Sequence, residues 1–150
     1  MIHQTIASPW GPLTVVGSSA GLRQVRFGPS QPEDGPPGEL EAGLQLAQYL
    51  RGERQNFDLT LDVDGTPWQQ QVWSALATIP YGQTTSYGAL AKQLGRPKAS
   101  RAVGAANGKN PIAIIVPCHR VIGSDGTLRG YVGGVECKQG LLDLERRTNV

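Results

Sequence analysis

Apolar and polar residues alternate in the first part of the chain. Three such segments, residues 2–8, 12–18 and 22–28, are separated by turn residues that include Pro-Trp-Gly and Ser-Ala-Gly. Alternation with a period of two is typical of half-buried β-strands, and turn residues between short strands favour hairpins. The pattern predicts a small antiparallel meander.

The next segments change the predicted structure twice. A Pro-rich loop covers residues 29–39, and apolar residues at helical spacing then predict a helix from Glu39 to about Gly52. The sequence FDLTLDVDG, residues 57–65, predicts a strand that ends in an Asp-Gly turn. Because the composition changes near residues 62–66, we expect two domains, 1–64 and 65–150.

The second half is predicted to be mostly helical. Thr66 precedes Pro67, and Gln69 follows three residues after the cap, which is a capping box with proline at the first helical position. The apolar stripe that follows predicts that Trp68 and Trp73 are both buried in the core.

Two short helices are predicted next, from about Ser86 to Leu94 and from about Ala99 to Asn107, joined by a Gly-containing turn. This is a helix-turn-helix candidate, although many helical hairpins bind nothing. Arg101 is the only long side chain on the second helix, and most of the other positions are small (Ala99, Ser100, Ala102, Gly104, Ala105, Ala106). Small side chains let a backbone approach another surface closely, either another helix or a nucleic-acid groove.

Composition narrows the class of protein. The 150 residues include only two cysteines, which makes a disulfide framework implausible and a reducing compartment the expectation. The first 20 residues hold no Lys or Arg and do not resemble a secretory signal, and the longest apolar run, residues 112–116, cannot span a bilayer. We expect a soluble, cytoplasmic protein without a membrane segment.

Charge is unevenly distributed. Residues 1–64 hold four basic and eight acidic side chains, whereas residues 65–150 hold ten basic and four acidic ones. Seven of the basic residues lie between Ser86 and Arg129, where Asp125 is the one acid; they are Lys92, Arg96, Lys98, Arg101, Lys109, Arg120 and Arg129. Such a stretch is usually a solvated face, but beside a candidate recognition helix it favours a polyanionic partner.

The sequence IVPCHRV, residues 115–121, poses the main chemical question. Cys118 could be an inert core residue, half of a disulfide, a metal ligand or a nucleophile. We expect Pro117 to keep the chain extended and to direct the thiol out of the apolar run. His119 could then act as a base through a water molecule, with Glu145 as the acidic residue that orients it. Zinc is disfavoured because two cysteines and two histidines lack ligand spacing, and no motif for a cofactor is present.

A longer pattern surrounds the cysteine. PCHRV is preceded by SYGALAKQLGRPKASRAVGAANGKNP and followed by GYVGG and LLDLE. From Trp68 to Glu145 the chain resembles the O6-alkylguanine–DNA alkyltransferase family, and residues 1–60 are compatible with that family's small β-rich domain. The resemblance implies an α/β (α+β) fold with a winged helix-turn-helix-like DNA-binding motif. It also implies irreversible, single-turnover transfer of an alkyl group from guanine O6 in double-stranded DNA to the protein's own cysteine after nucleotide flipping. We expect a monomer.

The resemblance assigns roles residue by residue. Cys118 becomes the acceptor thiolate, His119 the water-mediated base and Glu145 its orienter. Asn110 would brace the active-site turn, and Tyr87 would assist protonation of the leaving guanine. Arg101 would replace the extruded nucleotide in the stack. The base pocket would be lined by Val121, Tyr131, Val132 and Gly133, with Ala113 at a position that can be proline. Contacts to the minor groove would come from Lys98, Ala99, Ser100, Ala102, Gly104, Ala105 and Arg120.

Three other functions compete with this interpretation. An alkyltransferase-like lesion sensor would replace the cysteine, and Cys118 is present. A Cys-His hydrolase would need an oxyanion hole, for which only loop amides can be nominated. A DNA-binding regulator with an incidental cysteine would leave the PCHRV motif unexplained.

Overall fold

The computed structural model describes residues 1–128 and 130–149, so the predicted basic residue Arg129 lies outside the described part. The predicted α/β class is confirmed, because a small sheet is followed by a mostly helical region. The residues form two compact units. The first comprises Met1–Val63 and Pro111–Ile115, and the second comprises Asp64–Asn110 and the chain from Val116 onward.

The first unit contains the predicted meander. Strands β1 (Ile2–Ile6), β2 (Leu13–Ser18) and β3 (Gly21–Phe27) pair antiparallel in the order β1-β2-β3. Helix α1 (Glu41–Leu50) packs on β1, and its last turns contribute Leu46 and Tyr49 to the core. The meander prediction is confirmed.

The predicted strand over residues 57–65 is wrong. That segment forms a single bridge, Leu22 to Leu61, and is also held by the Gln45 side chain, which bonds to both backbone groups of Asp58. The outer edge of β3 is shared: Leu22 pairs with residues 60–62, and Val25 pairs with residues 111–113. Because the second segment occupies the edge at Val25, no longer ladder can form along residues 57–65.

The second unit is built from helices. Its elements are α2 (Pro67–Leu76), β4 (Thr85–Ser86), α3 (Tyr87–Gln93), α4 (Ser100–Gly108), a 3-10 turn (Cys118–Arg120), β5 (Val121–Ile122) and α5 (Val135–Thr148). The capping box is confirmed: the Thr66 hydroxyl accepts from the Gln69 N–H, and the Gln69 side chain accepts from the Thr66 N–H. Strands β4 and β5 pair in parallel, so the residues before α3 and after the Cys118 turn run side by side.

Helices α2 and α4 are tied together by indole hydrogen bonds. Trp73 is buried and donates to the Ala106 carbonyl at 2.9 Å, and Trp68 donates to the Ala102 carbonyl at 3.2 Å. Burial of both tryptophans was expected, but Trp68 is only half-buried. Its ring is instead covered by the Arg96 guanidinium, 5.0 Å from the ring centroid, in a cation–π contact.

No helix in the described ranges is long and apolar enough to cross a membrane. Within the same ranges, no cluster of three or more His, Cys, Asp or Glu residues could hold a metal ion.

Candidate active site and DNA-binding surface

The Cys118 thiol lies on a tight turn. An extended segment was expected here, but Cys118–Arg120 form a 3-10 turn, in which the Arg120 N–H donates to the Pro117 carbonyl at 3.0 Å. The Asn110 side chain donates to the Val116 carbonyl at 2.9 Å, just before the turn. Asn110 therefore fixes the backbone that presents Cys118, as a bracing residue would.

A cavity of about 250 Å³ adjoins the thiol. The described residues that line it are Asn107, Gly108, Asn110, Cys118, Gly130, Tyr131 and Val132. Cys118 is free and only 3% exposed, so a reagent reaches the sulfur by entering this cavity. Tyr131 and Val132 were predicted to line the pocket, and the structure places both of them there.

Opposing influences act on the Cys118 thiol. Burial is the largest and raises its pKa, whereas hydrogen bonding with Asn110, the charge of Lys138 and a hydrogen bond with Tyr131 lower it. The net result is a raised pKa. The resting sulfur is therefore a protonated thiol at neutral pH, and it needs a base when it reacts.

His119 and Glu145 are in direct contact, as predicted. His119 Nε2 lies 2.7 Å from Glu145 Oε2, and both side chains are almost fully buried. Burial lowers the pKa of His119, although Glu145 opposes this effect. The imidazole is therefore neutral, and its Nε2–H donates to the carboxylate.

This tautomer leaves His119 Nδ1 as the basic nitrogen. Nδ1 is buried and has no hydrogen-bond partner among the described residues. A buried, unpartnered acceptor on the residue next to Cys118 is suited to take a proton through an intervening water molecule.

Arg120 is a structural partner of Glu145. Its Nε and Nη2 donate to the two carboxylate oxygens at 2.8 and 2.9 Å, and its Nη1 donates to the Ile79 carbonyl at 2.6 Å. The prediction that Arg120 contacts DNA is wrong, because its guanidinium is buried and already bonded to Glu145 and the Ile79 carbonyl. Although burial alone would raise the pKa of Glu145, the bonds from His119 and Arg120 lower it to about 2.

Two further residues on α5 face the thiol. Lys138 is fully buried, and its Nζ lies 5.9 Å from the centre of the Tyr87 ring. Sequence reasoning missed Lys138, since the helical pattern alone gives a lysine no reason to face inward. Burial and the nearby Cys118 raise the pKa of Cys137 to about 12, so this second free thiol is inert at neutral pH.

A wider groove of about 670 Å³ lies beside the cavity. Its described lining comprises Tyr87, Gly88, Ser100, Arg101, Gly104, Gly123, Ser124 and Gly130. Gly130 lines both the groove and the thiol cavity, so the two adjoin there. Tyr87 and Arg101, both predicted from the resemblance, are brought to this groove.

The outer face of α4 carries small side chains. Arg101, Ala102 and Ala105 are exposed, while Ser100 and Gly104 are half-buried. A Cβ at Gly104 would meet the Tyr87 ring only at an ordinary 3.8 Å, so internal crowding does not require a glycine there. The described part of the second unit therefore leaves this face open to an outside surface.

The second unit, which contains the groove, exposes several basic side chains. Lys92, Arg96, Lys98, Arg101 and Lys109 are all exposed, whereas Arg120 is buried. Lys98 lies in the turn before α4, and Ala99, where the helix was predicted to begin, is its N-cap residue; their contact with DNA stays a prediction.

Three predicted pocket residues are not among the described residues that line the cavity, so their role in the pocket stays a prediction. Val121 is fully buried and pairs with Thr85 in the two-stranded sheet, and Gly133 is absent from the described lining of the cavity. Ala113 belongs to the first unit, where its N–H donates to the Val25 carbonyl. A resemblance assigns pocket positions, but it does not say which backbone ladder each residue joins.

Comparison with known proteins defines the class. Residues 67–147 match the family model described as 6-O-methylguanine DNA methyltransferase, DNA binding domain, and residues 1–63 match the ribonuclease-like domain of the same methyltransferase. The chain belongs to the 6-O-methylguanine DNA methyltransferase family.

Individual relatives cover nearly the whole chain. A protein of Mycobacterium bovis named methylated-DNA–protein-cysteine methyltransferase is 53% identical over 97% of this chain and 93% of its own. A protein of Methanosarcina acetivorans with the same name is 47% identical over 97% of this chain and 98% of its own. The crystal structure of Mycobacterium tuberculosis OGT in complex with DNA matches with a TM-score of 0.90 at 49% identity, over 99% of this chain and 94% of that one.

Proposed function

We propose that this protein repairs DNA by transferring an alkyl group from guanine O6 to its own Cys118. The observation that carries the proposal is a free, buried thiol at the end of a cavity that adjoins an open groove. Relatives about 50% identical over almost the full chain are named methylated-DNA–protein-cysteine methyltransferases, which supports the same activity. We also expect a cytoplasmic monomer.

The transfer is a displacement at the alkyl carbon. The sulfur of Cys118 forms a bond to that carbon while the carbon–O6 bond breaks and its electron pair stays with guanine. The proton of the thiol leaves through water to His119, and the departing guanine takes up a proton, so charge balances. The product is a stable thioether, and the described residues offer no group that removes it. Each molecule therefore reacts once.

His119, Glu145 and Arg120 form the proton-accepting network. Glu145 holds His119 in the tautomer that leaves Nδ1 basic, and it stabilises the imidazolium that forms. Arg120 keeps Glu145 ionised, as the carboxyl pKa of about 2 indicates. Lys138 supplies a positive charge close to the sulfur as the thiolate develops.

The groove is the proposed DNA-binding surface. Guanine O6 lies within the duplex stack, so the nucleotide must be extruded before its alkyl group reaches the thiol cavity. The small outer face of α4 allows close approach to the minor groove, and the exposed basic residues contact phosphates without reading sequence. Arg101, at the start of α4 and on the groove, is placed to enter the stack. Tyr87 would assist protonation of the leaving guanine from the groove wall.

A Cys118→Ser variant tests whether alkyl transfer and DNA binding depend on different residues. We expect no alkyl transfer, but nearly unchanged affinity for a duplex, because the groove and the basic residues provide the binding. Affinity should fall steeply as salt rises, since phosphate contacts release counterions. Cys137→Ser is the matched control and should transfer at the wild-type rate. Transfer by Cys118→Ser, or binding that ignores salt, would contradict the proposal.

A further inference from the structure

The first turn of α4 begins without a capping side chain of its own. Its N-cap residue is Ala99, whose methyl group cannot accept a hydrogen bond from the backbone N–H groups of the turn. A helix end whose N–H groups lack such a partner frays more readily than a capped one. Arg101 lies in this turn, so a movement of the turn also moves the side chain that is proposed to enter the duplex stack.

Trp68 holds this turn from the neighbouring helix. Its indole Nε1 donates to the carbonyl of Ala102, the residue directly after Arg101, at 3.2 Å. Trp68 is the second residue of α2, and the start of α2 is secured by the capping box of Thr66 and Gln69. The indole bond therefore ties the start of α4 to a helix end that is itself well anchored.

Arg96 connects the Trp68 ring to the turn between α3 and α4. Its guanidinium lies over the ring, 5.0 Å from the centroid. Its backbone N–H donates to the Ala91 carbonyl in the last turn of α3, and its own carbonyl accepts from the Ala99 N–H, both at 2.9 Å. Arg96 therefore joins the end of α3, the start of α4 and the indole that supports α4.

We infer that Trp68 and Arg96 are positioning residues for nucleotide extrusion, because they hold the turn of α4 that presents Arg101. The inference rests on the proposed function and adds two residues that are not among the described lining of the groove or of the thiol cavity. If Trp68 contributed only to folding, or Arg96 only to phosphate binding, their loss would not slow the duplex reaction in particular.

The ratio of two transfer rates measures this role. One is the single-turnover rate at saturating protein for a duplex that contains O6-methylguanine, and the other is the same rate for the single strand, whose base is unpaired. Trp68→Phe keeps an aromatic ring but removes the N–H donor. We expect it to lower the duplex-to-single-strand ratio about fivefold, which corresponds to about 1 kcal/mol, the typical net contribution of one hydrogen bond.

Trp73→Phe is the matched control. It removes the same donor from the same helix, but at the other end of α4, where Trp73 bonds to the Ala106 carbonyl. It should lower the free energy of unfolding and leave the ratio at the wild-type value.

Arg96 gives an independent arm of the test. Arg96→Met should lower the ratio by about threefold, and Arg96→Lys, which retains a cation for the Trp68 ring, should restore most of it. Arg96 is exposed, so these two variants keep the test valid if Trp68→Phe does not fold.

The results separate the positioning role from the proposed function. Transfer from neither substrate by wild type would end the proposed function itself. If the Trp68 and Arg96 variants lose only stability or affinity and keep the wild-type ratio, the proposed function stands and the positioning role is overturned. An equal fall of the ratio in Trp73→Phe would also overturn it, since any loosening between α2 and α4 would then have the same effect.

Discussion

Replacing Glu145 by glutamine should destabilise the second unit measurably. Glu145 accepts hydrogen bonds from His119, Arg120 and the Gly82 N–H, and its side chain is 1% exposed. The pKa of the carboxyl falls from its ordinary 4.5 to about 2. This shift corresponds to about 3 kcal/mol of folding free energy, which agrees with the range of about 3–5 kcal/mol for breaking a buried ion pair.

The sign of the pH dependence follows from the direction of the shift. The contribution of Glu145 is fully present above pH 4.5, where the unfolded carboxyl is ionised, and is lost as the pH falls toward about 2. The difference in stability between wild type and Glu145→Gln should therefore be largest near neutral pH and should shrink below pH 4.5.

Urea denaturation measures this difference. In a Trp10→Phe background, the fluorescence of Trp68 and Trp73 reports on α2 and hence on the second unit. The exposed Glu136, which lies on α5 together with Glu145, provides the control, and Glu136→Gln should lower the free energy of unfolding by less than about 1 kcal/mol. A loss below about 1 kcal/mol for Glu145→Gln, or a difference independent of pH, would refute the reasoning.

Two other substitutions test the chemistry. Arg101→Ala should slow transfer from a saturated duplex by about one to two orders of magnitude, because about 1.4 kcal/mol of lost stacking corresponds to tenfold, yet it should hardly change reaction with free O6-benzylguanine. Lys109→Ala, at the other end of α4, is the control and should weaken DNA binding without slowing transfer from a saturated duplex. If Arg101→Ala slows the duplex and the free base equally, Arg101 has no role in nucleotide flipping. Lys138→Met should raise the pH midpoint of transfer to Cys118 by about one unit, since about 1.4 kcal/mol of electrostatic support is one pKa unit. An unchanged midpoint, measured with the free base, would show that Lys138 does not support the thiolate.

Local sequence patterns predicted the strands and helices well where neighbouring residues alone determine the structure. The meander follows from alternation, and α2 follows from the Thr66–Gln69 box. The strand expected over residues 57–65 failed because Val25 takes its edge partner from residues 111–113, a competition between distant segments. Directly after those distant residues, Ile114 adopts a left-handed φ of 71°, which no propensity of a β-branched residue would suggest.

Prediction of the site also failed where contacts between distant segments decide the structure. The residues around PCHRV already nominated Cys118, His119 and Glu145, the resemblance gave them the same roles, and the structure brings the latter two into contact. Whether a charged side chain faces inward depends on tertiary partners, so the sequence placed Arg120 on DNA and overlooked Lys138. The hydrogen bond from Trp68 to the Ala102 carbonyl likewise becomes visible only when the tertiary contacts are known.

The mass of the intact protein after incubation with a duplex that contains O6-methylguanine tests the central claim most directly. The account predicts a gain of one methyl group per molecule, located on Cys118 by peptide mapping, with no further turnover when the duplex is in excess. An unmodified protein, repeated turnover, or a methyl group on Cys137 would contradict it.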